Sequence, residues 1–241
     1  MRFVSDNMRW LLCWVLLGQM LQAGDVESAF KAARRAVGSE EALRKVESVH
    51  FYGKVVAEDS GSTAKLRIVF SKPYMSWMEI TTDDVVEVVV ANKIEGFVSR
   101  TEIASGKSRV NVLPAKATSR INNMAWQGLH FFASPKARFG RASNDGFVEV
   151  DGRPCQKVTI RYPGGLWTSL YFDKKSGKHF ITQADNGLRY VKSGEMVVDG
   201  IRFPKAVTVF ERGREARRMI FEKISVNRPV DSSIFEFPTE S

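Results

Sequence analysis

Three histidines, His50, His130 and His179, are the side chains of this 241-residue chain best suited to moving a proton near neutral pH or ligating a metal. They fall in three separate segments. No pair has metal-ligand spacing, and no cysteine or acidic cluster completes a site around any of them. Asp83 and Asp84 are adjacent carboxylates, but consecutive strand residues point to opposite faces, so this pair reads as a turn. Cys155 lies in an alternating apolar run and reads as a small buried residue. Gly-x-Ser-x-Gly, phosphate-loop and dinucleotide fingerprints are missing. The residues assemble no catalytic, metal or cofactor chemistry, so the expectation is for a binding function and not an enzyme.

The formal net charge is +9, and no run of five like charges occurs. The basic balance fits nucleic acid, an anionic membrane surface or only solubility, and solubility is the first reading. No compact strand pair sets aromatics beside Arg or Lys, so a nucleic-acid partner is not expected. Arg2, Arg9 and Asp6 leave +1 on residues 1–23 and so +8 on the remainder. Arg2 and Arg9 precede an apolar run from Trp10 to Leu21, and Leu21-Gln22-Ala23 offers a small residue for cleavage. That run is short of the roughly 20 residues that span a bilayer. The expectation is a cleavable signal peptide over 1–23 and secretion, with an uncleaved anchor as the lesser possibility. Leu12 is too bulky to precede a lipidated Cys13, so no lipobox is assigned. Cleavage would leave Cys155 as the single thiol, with no disulfide to support the fold.

The chain after residue 23 reads as strands with two helical interruptions. Val26, Phe30, Ala33 and Val37 make one helical stripe, ended by Gly38; Ser39 caps a second short helix. His50–Val56, Ala64–Phe70, Tyr74–Thr81, Val85–Val90, Ile94–Ile103 and Arg109–Leu113 are strand candidates. Ile121, Met124, Ala125, Leu129 and Phe132 then return to helical spacing between Pro114 and Pro135. From Phe147 to Phe237 an antiparallel meander follows, with strands at His179–Ala184, Leu188–Val198, Ile201–Glu211 and Met219–Val226 among others. Its turns sit at Asp151-Gly152, Asp185-Asn186-Gly187, Asp199-Gly200 and Arg212-Gly213. The fold class is α+β: one long curved, mainly antiparallel sheet of about 11–13 strands over residues 24–241, with the N-terminal and inserted helices as its cover. Val85–Val90, Tyr74–Ile80 and Leu166–Phe172 are apolar on both faces. They either complete a well-filled core or leave a cavity beneath the helices.

Three segments carry a resemblance. Phe70-Ser71-Lys72-Pro73-Tyr74-Met75-Ser76-Trp77 resembles a strand–basic residue–Pro–strand element; Asp199-Gly200-Ile201-Arg202-Phe203-Pro204 resembles an Asp-Gly-x-x-x-Pro hairpin. The ending Asp231-Ser232-Ser233-Ile234-Phe235-Glu236-Phe237-Pro238 resembles an Asp/Ser-x-x-Phe-x-Phe-x-Pro tail. In this order, with the layout above, they are similar to the LolA/LolB-like periplasmic lipoprotein carriers and the related sensor domains of RseB-type regulators. The resemblance implies a half-barrel that holds acyl chains in an apolar cavity for outer-membrane lipoprotein sorting, without catalytic residues or cofactor. Its partners would be the acyl chains of lipoproteins or free lipid, with inner- and outer-membrane proteins for loading and delivery. Carriers of this kind place Arg before the strand-opening Pro, where it helps hold the lid shut; here Lys72 precedes Pro73, without a planar bidentate fork.

The expected cavity lining is Met75, Trp77, Phe97, Trp126, Phe131 and Phe132, with Lys72 and Pro73 at the lid. The alternative is a non-catalytic periplasmic sensor or scaffold of the same fold that binds a protein partner by a sheet edge or by its basic C-terminal region. Arg212, Arg214, Arg217, Arg218, Lys223 and Arg228 concentrate charge there.

Overall fold

A computed structural model describes residues 25–238. The expected signal peptide lies outside the described residues. Helix α1 spans Val26–Val37, with the Asp25 side chain accepting from the Glu27 amide, and buries Ala29, Phe30 and Ala33. Helix α2 spans Glu40–Arg44; the Ser39 side chain accepts from the Ala42 amide and Leu43 is its buried anchor. Among the described residues a third α-helix, α3, covers Ala115–His130. It begins after Pro114, whose ring ends the preceding strand, and stops where Phe131 turns left-handed.

Thirteen strands form one open antiparallel sheet. The first six are β1 (Ser48–Ala57), β2 (Thr63–Ser71), β3 (Met75–Thr81), β4 (Val85–Ala91), β5 (Gly96–Glu102) and β6 (Ser108–Val112). After α3 come β7 (Arg141–Val150), β8 (Arg153–Tyr162), β9 (Leu166–Asp173), β10 (His179–Ala184), β11 (Arg189–Val198), β12 (Ile201–Glu211) and β13 (Arg214–Val226). The spatial order is β6-β5-β4-β3-β2-β1-β13-β12-β11-β10-β9-β8-β7, so two meanders meet where β1 pairs with β13. Helix α3 therefore joins the strand at one edge to the strand at the other.

Curvature is written into the ladder as register shifts at Tyr52/Gly53, Val209/Phe210, Asn144/Phe147 and His179/Ile181. Extra residues of this kind bend a strand and increase its twist. Gly53 is required at the first of them: a Cβ there would stand 1.9 Å from the Ile220 carbonyl oxygen. Two strands begin earlier than their alternation suggests. The shift at 144–147 breaks the period of two in β7, and Arg214–Arg218 extends β13 although its side chains are charged.

The two faces have different covers. On the concave face Phe70, Ser76, Ala91 and Gly96 stand side by side across β2–β5. The small residues Ser76, Ala91 and Gly96 let α3 approach closely: a Cβ on Gly96 would lie 2.8 Å from Thr118 Oγ1, and the Phe70 ring packs at Gly128 of the helix. Beside this row, Leu43, Val46, Val49, Phe51, Leu129, Phe131, Phe203 and Phe221 form the central core. Helix α1 packs Ala29, Phe30 and Ala33 against Val158, Ile160, Leu170 and Phe172. The outer face of β2–β5 carries the row Val69, Trp77, Val90 and Phe97, and the C-terminal segment seals it with Val230, Ile234 and Phe235. A second outer cluster gathers Cys155, Tyr171 and Ile181. Trp77 and Val90 thus lie under the tail while their strands meet α3 inside, and Leu166–Phe172 meets α1 inside and the Cys155 cluster outside.

Candidate functional site

The chain leaves α3 through two consecutive aromatic residues in left-handed conformation, Phe131 (φ 46°) and Phe132 (φ 64°). Such residues cost on the order of 1–3 kcal/mol each and persist only where their surroundings hold them. The turn sends the two rings apart. Phe131 meets Phe203 at 6.3 Å in the central core, whereas Phe132 packs against Phe30, Phe172 and His179 at 6.4, 5.3 and 5.1 Å. Arg34 of α1 holds the turn: its Nη1 donates to the carbonyls of His130 (2.8 Å) and Phe131 (2.9 Å). The same guanidinium donates through Nε and Nη2 to both carboxylate oxygens of Glu40, which lowers the Glu40 pKa. One arginine thereby ties α1, α2 and the end of α3 together.

Below this junction lies a cavity of about 480 Å³. Val37, Phe132, Phe203 and Pro204 supply apolar wall, and His179 and Lys192 stand among them. Lys192 Nζ donates to His179 Nδ1 at 2.9 Å, and His179 Nε2 faces the Ile181 carbonyl at 2.9 Å. Burial and the neighbouring ammonium hold the His179 pKa well below the usual imidazole range, and burial pulls Lys192 down to about 8. The rim carries Arg153, Asp173, Lys178, Glu195 and Arg202. The volume falls within the roughly 300–1,000 Å³ of small-molecule sites.

Helix α3 is also anchored along its length. Arg120 grips Asp185 in the β10–β11 turn with two bonds of 2.8 and 3.0 Å, and Gln127 Nε2 donates to the Tyr162 hydroxyl at 3.0 Å. His130 Nε2 donates to the Pro73 carbonyl at 3.0 Å. Beyond the helices the concave face continues with partly buried Met78, Ile80, Tyr190, Met196 and Met219.

The six residues expected to line one cavity do not come together. Phe132 alone among them lines the cavity described above. Phe131 belongs to the central core. Trp126 is 4% exposed and stacks on His130 at 5.0 Å, buried within the α3 contact. Met75, Trp77 and Phe97 lie on the outer face with the C-terminal tail, the Phe97 ring 5.1 Å from Phe237. They point away from α3 because strand alternation gives their neighbours Ser76 and Gly96 to the helix. Lys72 does not reach α3; it pairs with Glu47 at 2.9 Å and faces the Arg44 carbonyl. The lid contact at this strand break comes from Pro73 through its carbonyl. Reading from the residues missed His179, Lys192 and Phe203. A lysine two residues after Tyr190 on one strand, hence on the same inward face, was the available signal.

No protein-family model matches the chain, and no curated protein matches it. Solved structures do. A DUF1329 family protein from Desulfovibrio piger superposes with TM-score 0.58 at 12% identity, covering 88% of this chain and 97% of that one. A domain from Vibrio parahaemolyticus described as an outer membrane lipoprotein-sorting protein gives TM-score 0.58 at 8% identity, with 88% and 97% covered. A LolA superfamily protein from Nitrosomonas europaea gives 0.57 at 10% identity, with 89% and 99% covered. At these identities the likeness is one of fold.

Proposed function

From the premise that this chain has the LolA-like half-barrel fold, we propose that it is a secreted periplasmic carrier that shelters acyl chains of lipoproteins or free lipid. The observation that carries this reading is the cavity of about 480 Å³ walled by Phe132, Phe203 and Val37 beneath the α1–α3 junction. Removing an acyl chain from water yields roughly 0.8 kcal/mol per CH₂, so twelve carbons contribute about 9 kcal/mol before ordering costs. The partly buried methionines of the concave face extend the apolar surface with adaptable side chains. Residues 24–241 would form the carrier as one domain after removal of residues 1–23, with membrane proteins at either membrane as loading and delivery partners. The role is one of binding, without chemistry. Extraction of the purified protein for lipid mass spectrometry tests this. Bound acyl lipid, exchangeable with a fluorescent fatty acid, is the expected result; a lipid-free protein that ignores the fatty acid overturns it.

A second reading, a sensor or scaffold binding a protein, is favoured by the cations of β13. Arg214, Arg217, Arg218 and Lys223 are all exposed near the middle of the sheet. A stoichiometric protein partner recovered from periplasm with the cavity empty would select it over the carrier.

A further inference from the structure

Among the described residues, Lys192 is a cation without a counter-charge. Its hydrogen bond goes to His179 Nδ1, and His179 in turn places Nε2 at the Ile181 carbonyl (2.9 Å) and at Thr182 Oγ1 (3.0 Å). A carbonyl can only accept, so Nε2 carries the hydrogen and Nδ1 offers a lone pair. The imidazole therefore orients the ammonium and supplies no negative charge. The two carboxylates on the cavity rim are engaged elsewhere. Glu195 pairs with Lys178 at 2.5 Å, and Asp173 accepts from the Ser176 amide and hydroxyl at 2.7 and 2.6 Å. Arg153 and Arg202 are the remaining charged rim groups, so four cations, counting Lys192, face two carboxylates across one cavity. Lys192 is half-buried, and withdrawing an ammonium from water is costly unless an anion accompanies it.

We propose that Lys192, oriented by His179, is an anion site that receives the carboxylate or phosphate-monoester headgroup of a single-chain amphiphile whose acyl chain lies along Phe132 and Phe203. This rests on the carrier reading and narrows its ligand class. A headgroup oxygen at Nζ makes a charge-assisted hydrogen bond and restores neutrality. The apolar wall beside it takes the first methylenes of the chain.

Calorimetric titration of the delipidated protein, purified after expression of the full chain, provides the test. The probes are dodecanoate, dodecyl phosphate, dodecan-1-ol and inorganic phosphate, at pH 7. The expected result is that one of the two anionic amphiphiles binds about tenfold or more tighter than dodecan-1-ol, about 1.4 kcal/mol. Lys192→Met should abolish that preference, and Lys192→Arg should keep it. In the unaltered protein the preference should shrink as pH rises through about 8, where the ammonium is lost. This series needs no variant and decides the matter alone if Lys192→Met does not fold. Equal binding of dodecan-1-ol and the anions overturns the anion site and leaves the carrier reading standing. Binding of inorganic phosphate without either anionic amphiphile overturns the amphiphile assignment. Binding of none of the amphiphiles removes the carrier reading, and this inference with it.

Discussion

The Arg34 guanidinium lies 2.9 Å from the Phe131 carbonyl, so a side chain of the first helix caps the backbone end of the last. Both partners come from segments 97 residues apart. The bond holds a backbone conformation that aromatic residues rarely adopt, and that conformation aims Phe132 at the cavity. Roof and cavity wall are consequently one mechanical unit.

Removing this clamp should loosen the roof before it unfolds the sheet. Arg34→Ala is expected to cost about 2–3 kcal/mol, since it deletes charge-assisted bonds to two carbonyls and to Glu40. Urea titration reads the stability. Amide exchange at residues 131–133 should accelerate more than exchange in β1 and β13; uniform acceleration would contradict the clamp.

Phe132 and Trp126 should behave oppositely. Phe132→Ala is expected to weaken fatty-acid binding about tenfold with a stability loss of only about 1–2 kcal/mol, because the ring faces cavity as well as core. Trp126→Asp buries a carboxylate in the α3 contact and should unfold the protein at neutral pH. Thermal melts beside binding isotherms separate the two.

The Arg120–Asp185 pair predicts a pH signature. Arg120 lowers the Asp185 pKa, and the Asp185 side chain is 5% exposed. A group whose folded pKa is depressed contributes stability above its unfolded value, about 3.9, and loses it as pH falls through the folded value. Asp185→Ala should therefore cost about 3 kcal/mol at pH 7, and the gap from the unaltered protein should narrow steadily below about pH 4. A gap constant with pH would show the loss to be packing alone.

The outer face offers a separate test. Phe235→Ala should cost about 3–4 kcal/mol, because the ring is 3% exposed and sits in the cluster with Trp77 and Phe97. Ligand affinity should not change, since this face is turned away from the cavity. Lost affinity would return Met75, Trp77 and Phe97 to the ligand site.

Local sequence determined the element order here: the stripe of α1, the Ser39 cap, the helical period after Pro114 and the Gly-marked turns all lie where the structure has them. These are short-range signals, set by alternation, capping and left-handed glycine geometry within a few residues. Alternation also says that β3 has two faces. It cannot say which face is concave, because that depends on which distant segment covers each. Helix α3 takes Ser76, Ala91 and Gly96, so Trp77 and Phe97 fall to residues 230–237. The Lys192–His179 contact likewise exists only once β10 pairs with β11. Tertiary packing, where covering segments compete for two apolar faces, decided the site.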